Sequence, residues 1–183
     1  EYFDYLKNLN YQFKKISVDV IKNIKIINNK KNFLLFDTSE PPKKNFSSSY
    51  QSGPLSIEYY IDNLKVITNC GYGEQISKKA ILLSRLTSAQ STLSLNDNSV
   101  VKFERNKIIN SSFGNLIKNS FKIFDENYNE NDLEIKTSAS HDAYLAEFGY
   151  IHKRELTLLK KSNELQGTDC LILKKQGVKT IYN

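Results

Sequence analysis

Leu55-Ser56-Ile57-Glu58-Tyr59-Tyr60-Ile61-Asp62-Asn63-Leu64-Lys65-Val66-Ile67-Thr68-Asn69 is two short runs rich in β-branched and aromatic residues, joined by a polar dipeptide. Asp62-Asn63 suits a two-residue hairpin turn, because short polar side chains tolerate the left-handed backbone that such a turn requires. The stretch predicts strands over residues 55–61 and 64–69.

The same grammar recurs on both sides. Upstream, Asn32-Phe33-Leu34-Leu35-Phe36-Asp37 reads as a strand, and residues 38–51, with Pro41-Pro42 and Ser47-Ser48-Ser49, read as a loop. Downstream, Ser91-Thr92-Leu93-Ser94-Leu95 alternates as a half-buried strand does, and Asn96-Asp97-Asn98 turns it into Val100-Val101-Lys102-Phe103. Further strands are expected over residues 120–124, 133–138, 151–159 and 164–173. Residues 127–132 read as an acidic, Asn-rich turn, and 77–86 as a short helical turn or long loop. Many short strands separated by turn residues, without intervening helices, predict an all-β fold: an antiparallel two-sheet β-sandwich. Tyr2, Tyr5, Leu6 and Leu9 have helical spacing, so a short N-terminal helix is expected over residues 1–9. The chain then divides into an N-terminal segment, 1–31, and the sandwich, 32–183.

At 183 residues the chain can bury about two-thirds of its unfolded surface in one core. Its 26 Lys and Arg against 20 Asp and Glu leave a formal charge of +6, which favours polyanionic partners without choosing among them. The lysines are scattered, and no nucleic-acid motif or basic helix accompanies them, so nucleic acid is not expected as a partner. Cys70 and Cys170 form no metal-ligand spacing; they either pair in an oxidising compartment or lie as buried free thiols. No apolar run approaches the ~20 residues that span a bilayer. The absence of Met and the opening Glu1-Tyr2-Phe3 read as a fragment of a longer protein.

Three blocks carry a resemblance. The first is Tyr50-Gln51-Ser52-Gly53-Pro54-Leu55-Ser56-Ile57-Glu58. The second is Thr68-Asn69-Cys70-Gly71 followed by Arg85-Leu86-Thr87-Ser88-Ala89-Gln90-Ser91-Thr92-Leu93. The third is His141-Asp142-Ala143-Tyr144, then Phe148-Gly149 and His152-Lys153-Arg154. They resemble the H-A-G-x-L-S-F-E, N-C-G…T-A-H-S-T-L and H-D-G-Y…F-G…H-x-R blocks of the heparinase II/III C-terminal domain, in that family's order. The resemblance implies one wall of the cleft of a polysaccharide lyase, a carbon–oxygen lyase that breaks acidic, uronate-containing polysaccharide such as glycosaminoglycan by β-elimination. It implies that the other wall is a helical toroid, a partner domain absent from this chain, so that the fragment alone is inactive. It also implies a periplasmic or cell-envelope location. The alternative is a non-catalytic carbohydrate-binding or structural sandwich.

β-Elimination needs donors that neutralise the uronate carboxylate, with a base and an acid flanking the ring. By the resemblance Gln90 stands at a family His position and is the catalytic candidate; Gln51 stands at another. An amide cannot take a proton near neutral pH, though its NH₂ can donate to a carboxylate. Arg85 is a candidate grip for a carboxylate or sulfate. His152 and Arg154 are two apart in a predicted strand and should share a face. His141, expected in a loop or bend, and Tyr144 complete the substrate-binding candidates, which are Gln51, Arg85, His141, Tyr144, His152 and Arg154. One branch of the family holds a zinc in its sandwich, but the spacing of His141, Asp142 and His152 gives no independent support, and neither metal nor cofactor is expected. The five residues Gln51, Arg85, Gln90, His141 and His152 are expected to converge on one face.

Overall fold

The computed structural model describes residues 23–29, 31–176 and 181. Two antiparallel four-stranded sheets face one another. The first runs β1 (Ile24–Asn28), β2 (Asn32–Asp37), β3 (Ile57–Ile61), β4 (Leu64–Ile67) in that spatial order, and the second β5 (Ile123–Glu130), β6 (Glu134–His141), β7 (Tyr150–Leu159), β8 (Glu164–Leu173). This is the all-β sandwich the strand pattern predicts.

Alternation sets the core. β2 buries Asn32, Leu34 and Phe36 and turns Phe33, Leu35 and Asp37 outward. Leu34 and Phe36 join Ile27, Ile57 and Tyr59 against Ile135, Ala139, Leu156 and Leu158 of the facing sheet. Full burial of each large apolar side chain contributes roughly 1.5–3 kcal/mol, which two exposed meanders could not gain separately. Asp62 and Asn63, with φ of 48° and 66°, make the predicted β3–β4 turn.

Several expectations need correction. Residues 24–28, assigned from sequence to the N-terminal segment, are β1 and pair with β2 in full register. The expected helix over residues 1–9 lies outside the described residues. Residues 91–95 and 100–103 are not strands; only isolated bridges, Leu95 to Asn98 and Phe103 to Ile117, remain. Side chains have captured the donors that a ladder would use: Ser91 N bonds Asn69 Oδ1, Val100 N bonds Thr87 Oγ1, and Lys102 N bonds Asn119 Oδ1. The segment expected as a turn at 127–132 is strand as far as Glu130, because the polar edge strand β5 pairs with β6 beyond a bulge at Asp125. The turn itself is tighter, with Asn131 Oδ1 accepting from Leu133 and Glu134.

Between the sheets, residues 68–122 form an irregular excursion carrying two short helices, α1 (Lys78–Leu83) and α2 (Lys107–Phe113). Ser77 caps α1, its hydroxyl accepting from Ala80 N. The excursion buries Leu95, Val100, Val101, Ile117 and Phe121 against Tyr144 and against Phe148 of a third helix, α3 (Leu145–Phe148), making a second core at the end of β6 and β7. Among the described residues no helix is long and apolar enough to cross a membrane.

Candidate functional site

β6, β7 and β8 place four polar side chains on the buried face of the second sheet. Register pairs His141 with His152, and Arg154 with Asp169. His141 is the last residue of β6 rather than part of a loop, and both imidazoles have no exposed surface.

Their hydrogen bonds form one directed chain. Ala143 N–H donates to His141 Nδ1 at 3.2 Å, so that nitrogen carries no proton and Nε2 does. His141 Nε2–H then donates to His152 Nδ1 at 2.9 Å, and His152 Nε2–H donates to Asp169 Oδ1 at 2.7 Å. Arg154 closes the chain, with Nε and Nη2 gripping the two Asp169 oxygens at 2.7 and 2.8 Å. One backbone donor thus decides both tautomers.

Burial pushes His141 well below the ordinary imidazole value, and the neighbouring His152 and Arg154 push the same way. For Asp169 burial alone would raise the carboxyl, but the bonds and charges of His152 and Arg154 prevail and hold it far below the usual carboxylate range. A carboxylate that accepts three charge-assisted bonds stays ionised, and so offsets the buried guanidinium.

Arg154 also reaches out of its own sheet. Nη1 donates at 2.7 Å to the carbonyl of Leu55 and at 2.7 Å to that of Ser91. Leu55 is fully buried with φ of 58°, a left-handed backbone that costs a branched residue about 1–2 kcal/mol. The side chain in the core and the carbonyl on Arg154 together hold it there. Thr92 Oγ1 donates to Pro54 O at 2.6 Å, and the Ser91 hydroxyl accepts from Ile57 N and donates to Ile57 O. Loops 51–56 and 85–92 are therefore tied to each other and both to Arg154.

Gln90 is nearly buried; its Nε2 donates to Ser84 O at 2.7 Å, and its Cγ packs where a Cβ on Gly53 would come within 3.0 Å. Gln51, half-exposed, begins the same loop. Arg85 is 1% exposed and spends its guanidinium on the carbonyls of Tyr50 (2.9 Å) and Ser47 (2.7 Å), stacked 4.4 Å from the Phe103 ring. Tyr144 is buried with its phenol on Leu93 O at 2.7 Å. The fold brings the predicted residues into one neighbourhood, but His141, His152, Arg154, Arg85 and Tyr144 brace it from inside rather than line an open face. The physical reason is polar demand: the loop carbonyls of Ser47, Tyr50, Leu55, Ser91 and Leu93 have no ladder partner, and long donors fill that need.

Asp169 went unnamed in the sequence reading. The signal was there: across the turn between β7 and β8, antiparallel pairing sets Asp169 opposite Arg154 within an otherwise apolar inward row of Leu165 and Leu171. Cys70 and Cys170 are free, the first exposed and the second half-buried, so they do not pair.

A family model for the heparinase II/III-like C-terminal domain matches residues 22–180. The chain belongs to that family. No curated protein and no solved structure gives a match. The matched span of this heparinase II/III-like domain begins just before β1 and takes in both sheets. The zinc known from one branch of the family finds no fit in the residues considered for it. Asp142 turns its carboxylate to Lys122 N (2.8 Å), away from the imidazole pair, and the four ring nitrogens of His141 and His152 are all engaged by protein groups. Among the described residues no group of three or more His, Cys, Asp or Glu is arranged to hold a metal ion.

Proposed function

We propose that this domain forms one wall of the cleft of a polysaccharide lyase that acts by β-elimination on acidic, uronate-containing polysaccharide, in the periplasm or cell envelope. A helical domain of the same protein supplies the other wall and the reacting acid and base. The observation that carries this reading is the packing of Gly53 on the Gln90 side chain, with Ser52 N donating to Arg85 O beside it. Two loops that bear separate family blocks meet at one place, with amides where the family has imidazoles.

A groove of about 880 Å³ runs along the excursion, lined by Leu82, Leu86 and Phe103 with Lys102, Arg105 and Lys118, the last paired with Glu104 of the same groove. Such a volume falls within the ~300–1,000 Å³ range of ligand clefts, and cations at an open rim attract carboxylates and sulfates. The Gln51 amide can donate to a carboxylate, whereas neither Gln can abstract a proton, so this wall binds and orients while proton transfer lies elsewhere.

The test is retention of the purified chain on immobilised heparan sulfate or alginate, with dextran as the neutral control. Retention should fall as salt rises, since exposed pairs are screened over ~10 Å at 0.1 M. Arg105→Ala should weaken it more than Lys65→Ala on β4, and the chain alone should release no ultraviolet-absorbing unsaturated product. Equal retention on dextran, or equal losses in the two variants, would remove the groove from the reading. Unsaturated product from the chain alone would show that this wall suffices for catalysis.

The same two Gln residues favour a second reading, a carbohydrate-binding sandwich that has lost the chemistry. Gln90→His in a protein that includes the helical domain separates them: product in the unmodified protein supports the lyase, and binding without product in both supports the second.

A further inference from the structure

The buried histidine pair is more elaborate than packing requires. A core imidazole needs one acceptor and one donor, and backbone groups could provide them. Here the two rings bond each other, and the chain they form ends on the guanidinium that holds both loops of the proposed wall. We propose that Asp169, His152 and His141 are positioning residues: acting through Arg154 they hold loops 51–56 and 85–92 in place, and they do so only while the His141 imidazole is neutral, so that mild acid loosens the wall.

The geometry leaves no seat for an extra proton. A proton on His141 Nδ1 would face the Ala143 N–H at 3.2 Å, donor against donor. The His141 Nε2–H is already spent on His152 Nδ1 at 2.9 Å, so a charge on His141 costs one bond of the chain.

The surroundings offer little relief. Among the described residues, β7 presents Arg154, a fixed cation, and β8 presents Asp169, already committed to Arg154 and His152. After β6, Asp142 turns to Lys122 N and the Tyr144 phenol to Leu93 O. From the excursion comes the Phe121 ring, 5.7 Å from that of His141. From the loops come the carbonyls of Leu55 and Ser91, both taken by Arg154.

The loops are the elements expected to yield. Beyond β2 and β3 they are held by side-chain bonds and by isolated backbone bonds, such as Ser52 N to Arg85 O and Gln90 N to Thr87 O, rather than by continuous ladders, and such regions open locally at lower free energy than sheet cores. Opening would let water reach the imidazoles and the proton be accommodated.

The test uses the full chain without polysaccharide, so that failure of the lyase reading leaves it intact. Nitrogen NMR of the imidazoles at pH 7.5 should show both rings as Nε2–H tautomers. Amide exchange should then be followed from pH 7.5 to 5, corrected for intrinsic chemistry, at Ser52, Leu55, Gln90 and Ser91 against Leu34 and Tyr59. Below pH 6.5 the loop opening equilibrium should rise by up to about tenfold per pH unit while the core amides lag. In His141→Gln, whose amide can still donate to His152, that rise should flatten. Loops and core opening in parallel, or a variant that keeps the wild-type pH dependence, would overturn the proposal. Should the variant fail to fold, the wild-type titration decides alone: a charged His141 at pH 5 with unchanged loop protection would be equally fatal.

Discussion

Replacing Arg154 by Met should cost more stability than any surface change in this domain. Arg154 is 8% exposed, and its guanidinium makes four bonds of 2.7–2.8 Å, two to Asp169 and one each to the carbonyls of Leu55 and Ser91. Met restores much of the apolar stem but none of the donors. Two carbonyls lose their guanidinium partner, at about 1–3 kcal/mol for each one left unsatisfied. Asp169 keeps only the His152 bond, and breaking a buried pair from one side costs about 3–5 kcal/mol in all. The Asp169 side chain is 33% exposed and water can take over part of its solvation, which argues for the lower half of that range. A loss of about 3–4 kcal/mol is a large share of the 5–15 kcal/mol that holds a typical domain. Urea unfolding followed by tyrosine fluorescence would show it: with a slope of ~1–3 kcal/mol/M, the midpoint should drop by roughly 1–4 M at unchanged slope. Asp169→Asn should also destabilise, and the double variant should lose clearly less than the two singles together, because each removes what the other needs. A loss below about 1 kcal/mol in Arg154→Met, or strict additivity with Asp169→Asn, would refute the idea that this pair braces the loops.

Stability should fall on mild acidification: His141 is depressed in the folded state, so the unfolded chain binds the proton first, and the contribution present above pH 6.5 is lost as pH drops below it. The loss should be measurable by pH 5 in thermal or urea melts, and a flat profile between pH 7 and 5 would contradict the buried neutral imidazole. The depressed Asp169 adds a loss of the same sign below the ordinary aspartate range, setting in after that of His141. Gly73→Ala should destabilise by about 1–3 kcal/mol, since the new Cβ would lie 2.5 Å from the Ala80 carbonyl oxygen and α1 would have to move; an unchanged melt would mean that α1 shifts freely. Tyr144→Phe leaves the Leu93 carbonyl without its 2.7 Å donor and should cost about 1–2 kcal/mol by the same measurement, with no change if water replaces the phenol.

The sandwich was legible because its determinants are local. Asp62-Asn63 can adopt positive φ at both positions, and alternation in residues 32–37 and 150–159 names the inward row without knowledge of what it faces. The family blocks were legible for the same reason, since each is a contiguous string. The excursion was not: residues 91–95 alternate as a strand does, but Asn69 and Ser91 side chains, with Thr87 and Asn119 further along, take over bonding that a neighbouring strand would have made. β5 was misjudged at its polar end because an edge strand needs only one partner and no apolar face. The candidate residues lie near one another, but their bonding partners were not legible. Type and spacing place His152 and Arg154 on one face; only the sheet pairing decides that this face is inside, that His141 rather than solvent meets His152, and that Asp169 neutralises the guanidinium. Burial is a property of what packs opposite, and for Arg85 and Arg154 the opposite surface is a set of loop carbonyls that no local pattern announces.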